Sequence, residues 1–198
     1  MRKRLTLLAA CGVGGALFGL TVSSIPSPSD PTLFWVGNFS SPWAVLAFLA
    51  GWSQRSWVWA ACAGAGADIA SVVGFYGQFL TLDPTRLGMP PSTNLMTVAA
   101  TSLNGWFEFI APWLVIALGA GVICGILGRW WGRSRALIAG LAIAAPFVAE
   151  PWLWPIYNGY YKGPIVVWVA EITLGVLVAV WAVTSWRRAR RRPKPSIA

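Results

Sequence analysis

The chain has 198 residues, 57% hydrophobic and only 11% charged, with 15 Lys and Arg against 6 Asp and Glu for a formal net charge of +9. So apolar a composition is that of a chain immersed in lipid and excludes an ordinary water-soluble domain. With no histidine and only three cysteines, in no CxxC or Cys/His pairing, zinc sites and histidine-based acid–base chemistry are excluded as well.

In chain order, the first predicted span covers 5–25 and runs outward. Its start, MRKRLTLLAAC, resembles a signal peptide with a lipoprotein-like LAAC. The apolar stretch before Cys11 is shorter than a signal core and continues past the cysteine, so a retained helix is expected. Ala10 and Gly14, and Cys11, Gly15 and Gly19, repeat small residues every four positions, the spacing that lets helices approach closely, either within the bundle or against a partner. A Ser- and Pro-rich outer loop, SSIPSPSDPT, and an interfacial segment, TLFWVGNF, lead to a short second span over 41–53, with Pro42 suited to its first turn. The turn SQRS precedes a third span over 57–79. A long polar segment, LTLDPTRLGMPPSTNLMTVAATSLN, is expected to be an outer loop with room for a short helix or a lid. Spans over 105–128, 136–156 and 164–186 follow, and a basic tail occupies 187–198. All but the short second span have the roughly 20 residues that a helix needs to cross about 30 Å of hydrocarbon.

The fold class expected is therefore all-α: a polytopic membrane protein of six transmembrane helices forming a single domain. Basic residues gather at alternate ends of the spans, at Arg2, Lys3 and Arg4, at Arg55, at Arg129, Arg133 and Arg135, and from Arg187 to Lys194. The other ends carry only Arg86 and Lys162. The positive-inside rule then places both termini in the cytoplasm, and the tail RRARRRPK reads as a topology signal, not a nucleic-acid site. Many of the 14 tryptophans fall at headgroup level, among them Trp52, Trp57, Trp130, Trp131 and Trp186 inside and Trp35, Trp106 and Trp154 outside.

Four of the 6 acids lie within spans: Asp68, Glu108, Glu150 and Glu171. A charge at the bilayer centre costs about 2.5 to 3.5 kcal/mol on insertion scales, so such residues turn inward and are paired or functional. Glu108, Glu150 and Glu171 all fall in the outer halves of their helices, and Asp68 near the middle of its own. Trp168, Glu171 and Gly175 share one face of the last span. Trp152, Trp154, Tyr157 and Asn158 follow Glu150, and Asn104 and Trp106 precede Glu108. Pro146, Pro151 and Pro155 disturb the helix that carries Glu150 and free carbonyls there. An outward-opening acidic and aromatic pocket is expected, with Glu108, Glu150, Glu171, Trp152, Trp154, Trp168 and Asn158 binding substrate. Carboxylates beside indole faces suit a flat cationic ligand. The structural alternative is that these acids are protonated and bond between helices; Asp68, on a face with Ala61, Gly64 and Ser71, fits that alternative best, and Glu108 fits a hydrated interfacial position.

A six-span bundle of this length, with small residues spaced along its first helix and an outward pocket, resembles the S-components of energy-coupling factor vitamin transporters, the thiamine-binding type most nearly. The stretch SPWAVLAFLAGWSQRSWVWAACAGAGADIA is similar to a short span, basic turn and small-residue-rich span of that type, and Glu108–Phe109 in NGWFEFIAPWLVIALGAGVICG to its glutamate–aromatic pair. The resemblance implies Glu108 as a substrate ligand, Trp152 or Trp154 as a stacking partner, and Ala10 and Gly14 as part of the surface that meets a transmembrane coupling protein served by separate ATPase subunits. The pocket histidine of that type is absent, and Glu171 stands where an asparagine is expected. The stretch SPW-x-x-x-AFLAG is also similar to a domain-of-unknown-function family of small membrane proteins from high-GC bacteria.

The function expected is the substrate-binding subunit of a small-molecule uptake transporter in a bacterial plasma membrane, taking a vitamin or cationic aromatic ligand. The alternatives are a proton-coupled small carrier and an accessory or assembly protein without ligand. No P-loop, Gly-x-Ser-x-Gly or paired acidic metal motif is present, so no enzyme activity, cofactor or metal is expected.

Overall fold

The computed structural model describes residues 2–24, 40–158 and 165–191, with side chains over 5–24, 40–153 and 165–191. Trp35, the segment TLFWVGNF, most of the loop YNGYYKG and the last seven residues of the basic tail lie outside the described residues. Six α-helices follow one another: α1 (Arg2–Ser23), α2 (Ser40–Trp52), α3 (Trp57–Tyr76), α4 (Leu95–Ser134), α5 (Leu137–Asn158) and α6 (Ile165–Arg191). Two short 3-10 turns, Gly77–Phe79 and Thr85–Leu87, lie between α3 and α4. No strand occurs among the described residues.

Four helical segments are long and apolar enough to cross a membrane: Leu5–Ser23, Trp57–Phe79, Leu95–Ser134 and Ile165–Arg191. The 13 residues of α2 reach only about 20 Å at 1.5 Å per residue, less than the hydrocarbon layer, whereas the 22 residues of α5 reach about 33 Å. Of the six expected crossings, four are thus matched by a helix that is long and apolar enough among the described residues.

The fourth span was expected over 105–128, whereas α4 starts at Leu95 and runs 40 residues, about 60 Å. Its start is fixed by Asn94, whose side chain accepts from Thr97 N–H at 2.9 Å and the Thr97 hydroxyl at 3.0 Å, a local cap inside what reads as a loop. Its end is Arg135, in the left-handed region at φ 50°, a conformation usually left to glycine. The Arg135 guanidinium lies over the rings of Trp52 and Trp131, 5.2 and 5.3 Å from their centroids, a cation–π clamp that holds this turn against α2. Likewise α6 continues to Arg191, so the first residues of the expected tail are helical, with Arg190 over the Trp186 ring.

The interior is built from small residues. Buried side chains include Ala47, Ala50, Ala60, Ala63, Ala65 and Ala67, whereas Val13, Leu17, Val115, Ile116, Ile123 and Leu177 are exposed. This inverts the usual soluble arrangement and suits helices whose large apolar groups meet lipid while small ones allow backbones to touch. A Cβ on Gly125 would run into the Ala60 carbonyl, and one on Gly51 or Gly64 into the backbones of Gly125 and Gly121. These bare faces let α3 and α2 lie directly on α4. Trp131, expected in the headgroup belt, is instead fully buried among Phe48, Ala139, Ile143 and Ala182, because α5 and α6 close over it. The main helix contacts are α1 on α3, α3 on α4, α2 on both α3 and α4, and α5 on α6.

Candidate functional site: a carboxyl pair at the start of α2

The start of α2 reads Ser40-Ser41-Pro42-Trp43. A helix leaves its first N–H groups without intrahelical acceptors, and Pro42 removes one of these donors. Two of the three that remain are taken by one carboxylate from α5. Glu150 Oε1 accepts from Ser40 N–H at 2.6 Å and from the Ser40 hydroxyl at 3.0 Å, and Glu150 Oε2 accepts from Ser41 N–H at 3.1 Å. An anion is favoured there by the partial positive charge of the helix terminus as well as by the donors.

The second acid arrives from α6. The Ser41 hydroxyl donates to Glu171 Oε1 at 2.8 Å while its N–H donates to Glu150 Oε2, so the two carboxyl groups meet on one residue. Their meeting has a cause in the sequence. Gly175 is one turn from Glu171, and a Cβ there would touch Phe147 Cβ at 2.7 Å and the Val148 side chain at 2.9 Å. The bare face at Gly175 therefore lets α6 lie close on α5, one turn from both acids. Ser41, Glu150 and Glu171 are 1%, 7% and 7% exposed, and no described residue donates to Glu171 Oε2. The one ion pair among the described residues, Arg86 with Asp83 at 3.7 Å, lies in the loop before α4. There the Thr85 hydroxyl and N–H, with Arg86, hold the exposed Asp83 carboxyl below its usual range.

Of the residues expected to bind substrate, the structure brings Glu150 and Glu171 together. Glu108 is exposed on α4 and takes no part in the cluster. Because α4 starts earlier than expected, Glu108 lies several turns inside that helix and not at its mouth. Trp152 is 73% exposed; two residues beyond Glu150, it points to the other side of α5. Trp168 is half-buried one turn before Glu171. Trp154 and Asn158 fall in α5, and their side chains are outside the described residues. Asp68 is buried on α3 with Oδ1 unpartnered.

The two small-residue edges of α1 part company. Gly15 and Gly19 lie against the backbone of α3 at Ala67 and Ser71, whereas a Cβ on Gly14 would meet nothing within 4 Å and Ala10 is exposed. Ser40 and Ser41 were the residues that sequence reasoning passed over. A pair of serines directly before Pro42 is a helix-start signal, but nothing in it names a partner 110 residues away. A cleft of about 310 Å³ lies where the loop after α3 meets the start of α4, lined by Phe79, Leu87, Thr101, Ser102, Gly105, Trp106 and Phe109. Its polar groups are already engaged: the Ser102 hydroxyl accepts from Thr81 N–H at 3.2 Å, and Trp106 Nε1 donates to the Tyr76 carbonyl at 2.8 Å.

Comparison with models of known protein families, with curated proteins and with solved structures finds no match to this chain.

Proposed function

We propose that this chain is a small multi-pass membrane carrier whose solute movement is coupled to protons through Glu150 and Glu171. One observation carries the reading. Two acids from different helices are buried in a single hydrogen-bonded cluster, in apolar helices, with no cation beside them among the described residues. Ionisable groups in such a place are costly, and proton relays are a recurrent reason for keeping them. The six-helix arrangement, cytoplasmic termini and location in a bacterial plasma membrane belong to the same proposal, with Arg55, Arg133, Arg135 and the end of α6 on the inner side.

The test is solute-dependent proton movement in proteoliposomes loaded with a pH-sensitive dye and challenged with pools of amines, vitamins and amino acids. Internal acidification with one pool in the wild type, lost in Glu171→Gln, supports the reading. Acidification that persists in Glu171→Gln would remove it.

A second reading, the ligand-capturing subunit of an energy-coupling-factor-like transporter, is favoured by the uncovered Ala10–Gly14 edge of α1. It requires a separate coupling subunit and ATPases. Copurification of such subunits, abolished by Gly14→Leu but not by Glu171→Gln, would favour it over the carrier.

A further inference from the structure

The hydrogen bonds around the carboxyl pair are unequal. Glu150 receives three donors, spread over both oxygens, as a carboxylate does. Glu171 receives one, on Oε1. Its Oε2 has no donor among the described residues, although the residue is 7% exposed and meets Glu150 at Ser41. Two like charges this close cannot both persist in a medium of low dielectric without a compensating cation. On α2 the facing groups are Ser40 and Ser41, on α5 Glu150 and on α6 Glu171, and no Lys or Arg among the described residues reaches them.

We propose that the pair is an exchangeable proton site, in which Glu171 Oε2 takes one proton from water and donates it to Glu150, and that the loaded pair latches the start of α2. The balance is simple. Glu171 carboxylate plus a proton gives the carboxylic acid, and the pair falls from two negative charges to one. The remaining charge sits on Glu150, where the first N–H groups of α2 and its positive terminus hold it. Loss of the proton restores repulsion inside the cluster. The smallest movement that relieves it withdraws Glu171 from Ser41 or lifts α2 from Glu150, because both acids are otherwise fixed by the close packing of α5 on α6 at Gly175. The release is confined to the first turn of α2, since the rest of that helix is packed on α3 and α4.

The inference rests on the same pair as the carrier reading and assigns the proton to Glu171, but the proton is read without any solute. Infrared difference spectroscopy of the protein in lipid, stepped between acidic and alkaline buffer, reports carboxylic-acid C=O bands directly. One band that disappears on alkalinisation, shifts in deuterated water and is missing in Glu171→Gln is the expected result. In parallel, hydrogen exchange at the Ser40 and Ser41 amides, corrected for intrinsic rates, should speed up about tenfold or more when the band disappears. In Glu171→Gln, whose amide donates permanently to Glu150, protection should stay high at both pH values.

A band that survives Glu171→Gln, or one that persists at every pH, overturns the exchangeable site. So does a band that sodium removes at constant pH, which marks a metal cation as the occupant, or one that emerges only in Lys162→Gln, which marks a lysine as the counter-charge. Exchange at Ser40 and Ser41 indifferent to the band overturns the latch. Should Glu171→Gln fail to fold, Ser41→Ala serves instead: it must shift the band without abolishing it. The proton site with no solute-driven acidification defeats the carrier reading alone, and solute-driven acidification without the band defeats this inference alone.

Discussion

Glu150 and Glu171 share a cluster but not a role, and their isosteric variants separate the two. In Glu150→Gln the amide keeps one acceptor oxygen, and its NH₂ group turns toward donors, either Ser41 N–H or the Ser40 pair. Hydrogen bonds to a charged group contribute about 1.5 to 3 kcal/mol each, and buried unmade ones cost a similar amount. Glu150→Gln should therefore unfold well below the wild type in a thermal-denaturation assay in detergent, by about 2 to 4 kcal/mol. Glu171→Gln should lie within about 0.5 kcal/mol of the wild type, because its amide oxygen still accepts from Ser41 and its NH₂ supplies the donor that Glu150 can use. Equal destabilisation by the two changes would contradict the assignment of unequal roles. Although the same signal also picked Glu108, which stays outside the cluster, these two acids were legible as candidates, being rare carboxylates in apolar runs. Their serine partners were not, because the bond joins residues on opposite sides of most of the chain.

At the scale of helices, assembly rests on bare backbone faces. The α1–α3 contact uses Gly15 and Gly19, and the seam between α3, α2 and α4 uses Gly51, Gly64, Gly121 and Gly125. Overpacking such a contact costs about 1 to 3 kcal/mol. Gly15→Ala, whose methyl would meet the Ala67 carbonyl, should lower the detergent melting temperature clearly. Gly14→Ala, one position away and open, should not. The α5–α6 contact offers a sharper test. Gly175→Leu should push α6 from α5 and weaken the Glu150–Glu171 cluster, so that the difference in stability between Glu150→Gln and Glu171→Gln shrinks when each is combined with it, as coupled sites require. Additive effects would show that the close approach at Gly175 does not position the acids. Small residues at intervals of four were visible in the sequence, but one α1 edge is packed and its neighbour uncovered. That choice depends on where α3 lies, not on local composition.

For the whole molecule, the cluster of arginines and tryptophans at one end and the carboxyl pair toward the other define an axis. Trp52, Trp131 and Trp181 pack together beneath Arg135 at the first end. In the proposed orientation, which follows the positive-inside rule, this end is the cytoplasmic one. Single cysteines placed at Thr85 and Arg190, in a variant with its native cysteines replaced, should react differently with a membrane-impermeant maleimide: Thr85→Cys in intact cells, Arg190→Cys only after permeabilisation. Labelling of both in intact cells would reject the orientation.

Hydropathy alone was enough to read this chain as all-α and to locate apolar segments, four of which are helices long enough to cross a membrane, because a helix in lipid must satisfy its own backbone and its length must suit the bilayer. The same signal left the number of full crossings open. It also missed the first turns of α4, because a cap such as Asn94 is a local hydrogen-bond feature that apolar averaging does not detect. Which acids meet, which serines hold them, and which face of α1 stays open were decided only by the tertiary structure. Each depends on how closely two backbones approach, and that is a property of pairs of helices that no single segment of sequence contains.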